Sequence, residues 1–348
     1  MSDLLPTGVP LRAAVVGLGR MGVRHLEALN RLGMSVVGLA DMSNDALAAA
    51  AAPIGLGTEA CFTDAAEMLR KTRPEAVVIA TTAPSHAPLV LMAVEAGARY
   101  ILCEKPMAAS LAEVDEMTRA CEAAGAVLAV NHQMRFMAHY SYVKALIGSD
   151  DLGPLVSMVV AGSNFGLAMN ASHYFEAFRF LTGSRVADVQ AWFDTDALAN
   201  PRGAQFDDRS GRLLATNEVG QGLYIDFSAE AGWGLQVVYI CRNGQIVLDE
   251  LNGDVRVAAR KAEFRDLPTS RYGMPVDIRQ DAIAPAETVE CTMAVWRAMI
   301  VGSDYPGADV GEHALSCLVA AHISDRAGGA RISTNLPEAA RQERFAWA

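Results

Sequence analysis

No run of about 18 apolar residues occurs in the 348-residue chain, so no segment reads as a membrane-spanning helix. Positive charge is scarce as well, with 29 Lys and Arg against 40 Asp and Glu and a net charge of −11. That balance argues against nucleic acid as a partner, because affinity for polyanions comes chiefly from Lys and Arg on phosphates. The six cysteines, at 61, 103, 121, 241, 291 and 317, contain no C-x-x-C. The seven histidines form no pair at H-x-x-H or H-x-x-x-H spacing. Reduced, buried thiols are the expectation, with no structural metal. The start, Met1 to Pro10, lacks a charged region followed by an apolar one, so the expected compartment is the cytoplasm. Internal repeats and low-complexity tracts are missing too, the Ala-rich stretch 46–52 coming nearest. What is present, 51% hydrophobic and 20% charged residues, is enough for two globular domains.

Residues 11–16 form a short apolar run leading into Gly17-Leu18-Gly19-Arg20-Met21-Gly22, and a helical pattern follows with His25, Leu26, Leu29 and Leu32 on one face. Residues 35–40 then read as a strand that ends on Asp41. Strand, glycine turn, helix, strand and acid together make the G-x-G-x-x-G a dinucleotide-binding candidate rather than a bare motif. Gly17 permits the tight turn, Gly19 lets a pyrophosphate approach the backbone, and Gly22 lets the helix pack closely. The phosphates are expected on the helix N-terminus, near Arg20 and Met21. Asp41 suits a ribose 2′-hydroxyl and would repel a 2′-phosphate, and Met42 and Ser43 bring no cation. NAD is therefore expected before NADP.

The β-α-β alternation continues to about residue 131. A strand at 76–80 opens into Thr81-Thr82-Ala83-Pro84-Ser85-His86, a polar turn expected to face the cofactor. His86 either packs near the nicotinamide ribose or caps the helix that runs to Gly97. A strand at 99–103 ends in Glu104-Lys105-Pro106, which places an amine at the edge of a parallel sheet, where such folds do their chemistry. Lys105 can serve there as general acid or base if burial and a neighbouring cation lower its pKa, although a Lys beside a turn proline also occurs as a plain surface residue. Past 131 the grammar changes. Helical patterns at 135–147 and about 169–181 are interleaved with strands at 155–162, 185–194, 211–217, 220–228, 234–241, 244–250 and 253–258, a mostly antiparallel set. Helices return at 287–301 and 309–326. The expected domains are 1–131, 132–331 and a tail, 332–348, whose Phe345 and Trp347 dock on the first domain or on a neighbouring subunit.

Taken together, Gly17 to Gly22, Asp41, the A-T-T-A-P-S-H-A-P-L run at 80–89, E-A-G-A-R-Y-I-L-C-E-K-P at 95–106, Arg135-Phe136 and a His in the helix opening the second domain resemble the Gfo/Idh/MocA family, the relatives of glucose-fructose oxidoreductase and inositol dehydrogenase. The resemblance covers nearly the whole chain. It implies an N-terminal Rossmann domain with a doubly wound parallel sheet, followed by an α/β domain with a large, mainly antiparallel sheet that commonly builds homodimers or homotetramers. It also implies NAD(P)-dependent hydride transfer on a sugar, polyol, sugar acid or nucleotide sugar. By position, Lys105 is the catalytic or substrate-orienting amine, His173 is the second catalytic candidate, Glu104 and Pro106 frame the nicotinamide, a cis peptide can precede Pro106, and Arg135 binds substrate. The family often sets an Asp four residues before a His. Here His173 fits the His, the Asp position is Met169, and Asn170 is offered as a substrate-hydroxyl ligand. That departure keeps open a non-catalytic NAD-bound sensor, against which Lys105 and His173 speak; a redox-neutral, NAD-using glycoside-cleaving enzyme is a further reading that the sequence does not separate from a dehydrogenase. The loop 200–209, with Arg202 and Arg209, is the candidate for substrate specificity, although solvated charges would look the same.

Overall fold

The computed structural model describes residues 10–163, 165–195, 200, 202–268, 270, 273–285 and 287–347. The leader expectation for Met1 to Val9 lies outside them. No helix among the described residues is long and apolar enough to cross a membrane. The chain divides into two compact units, one made of Met1–Gln133, Glu287–Leu315 and Arg341–Ala348, the other of Met134–Ala286 and Ser316–Ala340. The sequence pattern places 287–331 wholly with the second domain; in the structure Glu287–Leu315 clusters with the first unit.

In the first unit, β1 (Arg12–Val16), β2 (Ser35–Ala40), β3 (Cys61–Phe62), β4 (Ala76–Ile79), β5 (Tyr100–Cys103) and β6 (Val127–Val130) form one parallel sheet in the order 3-2-1-4-5-6. The strand runs are Val, Ala, Ile and Leu with no alternation, as expected of strands covered on both faces; Ala13 to Val15 and Val77 to Ile79 are fully buried. Helices α1 (Arg20–Arg31), α2 (Asn44–Ala51), α3 (Ala65–Thr72), α4 (His86–Glu95) and α5 (Leu111–Ala124) make the crossovers. Their starts follow local chemistry. Ser43, Asp64 and Ser110 accept from the N–H three residues on, at 3.2, 2.9 and 3.2 Å. Between β1 and β4 the strand order reverses, and the crevice at that switch point is where open α/β sheets take ligands.

The second unit holds α6 (Ala138–Leu146), β7 (Leu155–Gly162), α7 (Ser172–Thr182), β8 (Val186–Phe193), β9 (Gly211–Asn217), β10 (Gly222–Phe227), β11 (Leu235–Cys241), β12 (Gly244–Asp249), β13 (Asp254–Arg260) and β14 (Val276–Ala282). With β15 (Ile332–Ser333) these strands form a nine-stranded sheet, ordered 14-13-12-11-7-10-9-8-15. Every pairing is antiparallel except β7 with β10. One face is the core: Met158, Val160, Leu223, Ile225, Phe227, Val237 and Tyr239 are buried, as are Phe175 and Phe178 of α7. Two strands escape the sequence pattern. β14 is a polar edge strand exposed almost throughout, so neither of its faces carries an apolar alternation. β15 is only two residues long and falls in the expected tail, yet it pairs with β8. The helix expected at 135–147 begins instead as a single 3-10 turn, Gln133–Phe136, before α6.

Two later segments complete the first unit. α8 (Thr288–Val301) packs on α1, with Glu287 Oε2 3.3 Å from Arg31 Nη1. The chain then runs along the free edge of β6, where Pro306 O accepts from Val130 N at 2.8 Å, before α9 (Ala308–Arg326) starts. The C-terminal residues also belong here. Phe345 N donates to Ala109 O at 2.8 Å, Arg341 Nη2 reaches Asp115 Oδ1 at 2.7 Å, and Trp347 is fully buried.

Candidate active site

The glycine turn leaves β1 at Gly17, whose φ of +88° and whose neighbours both demand glycine, since a Cβ there would lie 2.7 Å from Ala80 O. At Gly22 a Cβ would sit 1.9 Å from Gly17 O, so the first turn of α1 rests directly on the loop. Gly19 is different, with no atom within 4 Å of where its Cβ would point, and it is the N-cap of α1 without any side-chain cap. An open backbone at an uncapped helix start is a cradle for an anion. Beside it, the Asp41 carboxylate accepts from Leu18 N at 2.7 Å and from Ser43 N at 2.8 Å. The acid at the end of β2 is thereby locked to the turn at the end of β1. Gly19, Arg20, Met21 and Asp41 suit the pyrophosphate and adenosine ribose of a dinucleotide, and the residues present fit NAD.

Thr81 and Thr82 lie just past β4, where Thr81 Oγ1 accepts from Ser85 Oγ at 2.8 Å. His86 is the first residue of α4 rather than its cap. Its buried ring ties two turns together, Nδ1 facing Pro106 O at 3.0 Å and Nε2 facing Thr81 O at 3.3 Å. Burial lowers its pKa, and the surrounding carbonyls and Glu104 only partly oppose this.

Glu104, Lys105 and Pro106 follow β5, with a cis peptide between Lys105 and Pro106. Glu104 Oε1 accepts from Asn131 Nδ2 at 2.8 Å and stands 2.8 Å from His25 Nε2. Its Oε2 accepts from Lys105 N at 3.2 Å. Burial alone would raise the Glu104 carboxyl, but the His25 hydrogen bond and charge, the Lys105 charge and the Asn131 hydrogen bond win and bring it down to about 2. From Ile101 to Leu111 every residue is buried except Lys105, which is half-exposed. His25 and Asn131 were missed as site residues. His25 lies three residues past Gly22, on the apolar face of α1, and Asn131 directly follows β6 as the E-K-P follows β5; both positions are readable clues.

In the second unit, Asn170 and His173 repeat that pattern, partly exposed while Leu167, Ala168, Ala171, Ser172 and Tyr174 around them are buried. The expected helix from Met169 opens instead as a π turn, Leu167–Ala171, that runs into α7. The Asp208 carboxylate, from the loop proposed for specificity, accepts from Ala168 N at 2.7 Å and Met169 N at 2.9 Å. Asp208 was not singled out beforehand. Arg135 is 6% exposed and ion-paired to Glu176 of α7, with its guanidinium 5.3 Å from the Phe180 ring. Arg209 is also engaged, near Asp207 and Asp325 at 3.6 Å each and over Phe193 at 5.0 Å.

The structure therefore gathers the expected cofactor residues at one edge of the parallel sheet, and Asn170 and His173 on one turn of the second unit. Residues 11–132 match a family model described as the Gfo/Idh/MocA oxidoreductase family, NAD-binding Rossmann fold. Inositol 2-dehydrogenase 1 of Paenarthrobacter aurescens is 30% identical over 287 residues, covering 78% of this chain and 84% of that protein. D-apiose dehydrogenase of Paraburkholderia graminis is 30% identical over 228 residues, 62% of this chain and 60% of that one. Among solved structures, an inositol dehydrogenase homologue from Azotobacter vinelandii in complex with NADH and myo-inositol superposes with a TM-score of 0.79. It is 16% identical, over 96% of this chain and 100% of that one, a likeness of fold.

Proposed function

The chain belongs to the Gfo/Idh/MocA family of NAD-binding oxidoreductases, and from that premise we propose that Lys105 carries the proton in a dehydrogenase reaction on a carbinol of a sugar or polyol. The observation that carries this reading is the exposure of Lys105 alone within the buried run from Ile101 to Leu111, at the sheet edge where the family binds its cofactor. When bound, NAD supplies the hydride acceptor. The glycine turn and Asp41 hold it, while Thr81, Thr82 and His86 shape the wall that leads from that turn to Lys105. The Lys105 amine takes the hydroxyl proton during oxidation and returns it during reduction. Asn170 and His173 bind substrate hydroxyls. Arg135 does its part indirectly, by fixing α7 through Glu176.

The substrate class is that of the relatives, polyols and aldoses, and NAD is preferred because Asp41, at the end of β2, would repel a 2′-phosphate while Met42 and Ser43 after it bring no cation. The outer face of the nine-stranded sheet exposes Trp192, Tyr224 and Ile240, which suits a second copy of this chain, and the cytoplasm is the compartment that fits such chemistry.

The test is reduced-nicotinamide absorbance on a panel of polyols, aldoses and sugar acids, with Lys105→Ala alongside. The variant is expected to lose about a hundredfold to ten-thousandfold in turnover, the range of a lost general acid or base, while binding NAD as before. Equal activity in the variant refutes the assignment. A silent wild type that still binds NAD favours the sensor and redox-neutral alternatives, the first of which also draws on the absence of an acid at Met169.

A further inference from the structure

Three fully or nearly fully buried side chains from three elements meet at the cofactor edge of the sheet: His25 of α1, Glu104 after β5 and Asn131 after β6, exposed by 0%, 6% and 0%. A buried carboxylate is costly unless hydrogen-bonded and paired. Here Oε1 receives Asn131 and His25 at 2.8 Å each, and Oε2 receives Lys105 N. Such an arrangement does more than fill space. It keeps the Glu104 carboxylate ionised and screened from water at the end of β5, the strand next but one to β1 and its glycine turn. Close by are the Lys105 ammonium and, when cofactor is bound, a nicotinamide ring that is cationic only in its oxidised form. Two further titratable groups pack on this turn and contribute no fixed anion: His86 bridges backbone carbonyls, and the Cys103 thiol, pushed well up by burial, lies against the Glu104 and Met107 carbonyls.

We propose that His25 and Asn131 hold Glu104 as a fixed anion that favours oxidised over reduced nicotinamide, making them positioning residues that set which cofactor form the protein prefers. The proposal rests on the NAD reading above and goes beyond it, because it concerns the ratio of two affinities rather than binding as such. For a cationic ring about 10 Å from the carboxylate, in surroundings of effective dielectric about 20, one charge changes that ratio by about tenfold.

The experiment measures the dissociation constants of NAD+ and NADH separately, by calorimetry and by NADH fluorescence, for wild type, Glu104→Gln, His25→Leu, His25→Gln and Asn131→Ala. Glu104→Gln keeps the shape and removes the charge, and is expected to weaken NAD+ about tenfold relative to NADH. His25→Leu and Asn131→Ala shift the ratio in the same direction by less, and His25→Gln, which still donates a hydrogen bond, restores it toward wild type. A purely structural role would weaken both forms equally, and an unchanged ratio in Glu104→Gln overturns the proposal. Should Glu104→Gln fail to fold, the contrast between His25→Gln and His25→Leu decides in its place. A wild type that binds neither form would instead refute the cofactor reading itself.

Discussion

Glu250, just past β12, shows how far one residue can depart from its sequence context. The pattern at 244–250 ends a strand on Asp249-Glu250 and gives no sign of burial, yet the Glu250 carboxylate is buried between two helices, accepting from Tyr140 of α6 and Tyr174 of α7 at 2.8 Å each. His139 stands 3.7 Å away. Burial raises Glu250 to about 7; the two tyrosine hydrogen bonds oppose it without prevailing, and Asp249 adds to the rise. A carboxyl whose folded pKa lies above its unfolded value binds extra protons in the native state, so its stabilising contribution is present below about 4.5 and is lost as pH rises through 7. The full swing is about 3 kcal/mol. His139, lowered by burial to about 4, works the other way: its contribution is present above about 6.5 and is lost as pH falls toward 4. The wild-type curve mixes the two, so the informative quantity is a difference. The melting temperature of Glu250→Gln minus that of wild type is expected to rise from pH 5 to pH 8, and a flat or falling difference rules out the buried, raised carboxyl. No single-sequence pattern could reveal Glu250, since its burial depends on tyrosines 76 and 110 residues away. Lys105 and Asp41 were legible for the opposite reason, each sitting at a fixed place after a recognisable strand.

At the scale of elements, the parallel sheet was readable because each strand is a buried run with a turn signal after it, and every crossover helix carries its own cap or stop. The turn before α7 was not. Its irregular opening follows from Asp208, whose carboxylate holds Ala168 N and Met169 N from 40 and 39 residues away. Gly166 belongs to the same device, because a Cβ there would lie 2.0 Å from Asp208 Oδ2. Loss of such a cap costs about 1 kcal/mol, but the larger effect is expected on the turn that presents Asn170 and His173. Asp208→Ala and Gly166→Ala should each raise KM for the carbinol substrate several-fold and leave the NAD dissociation constant unchanged, one by removing the carboxylate and the other by displacing it. Two variants with wild-type KM would show that the loop does not position this turn. β14 illustrates the remaining gap. An edge strand open on both faces has no core to imprint a pattern on it, so Val276 to Ala282 reads as loop.

Across the whole molecule, linear reading fails where the chain returns. A boundary near 131 matches the point where the β-α-β rhythm stops, and the aromatic tail hints at its own return to the first unit, but nothing local announces that Glu287–Leu315 comes back to it. Those returns cover surfaces the first 133 residues leave open: α8 lies on α1, Pro306 caps the edge of β6, and the last residues clasp the start of α5. The clasp is specific. Arg341 meets Asp115 and Glu312, Arg344 meets Glu113, Phe345 N bonds Ala109 O, and the Phe345 ring stacks on Trp347 with centroids 4.7 Å apart. Ala109 is four residues past Lys105, so the tail anchors the segment that carries the proposed catalytic amine. Replacing a fully buried Trp by Ala costs about 3–5 kcal/mol. Trp347→Ala is accordingly expected to lower the calorimetric transition of the first unit, the one that shifts upward on adding NAD, and to leave a transition insensitive to NAD where it was. If instead both transitions hold and the NAD-induced shift is unaltered, the tail is an ornament on the first unit, and the clasp seen at Ala109 has no part in holding the Lys105 turn.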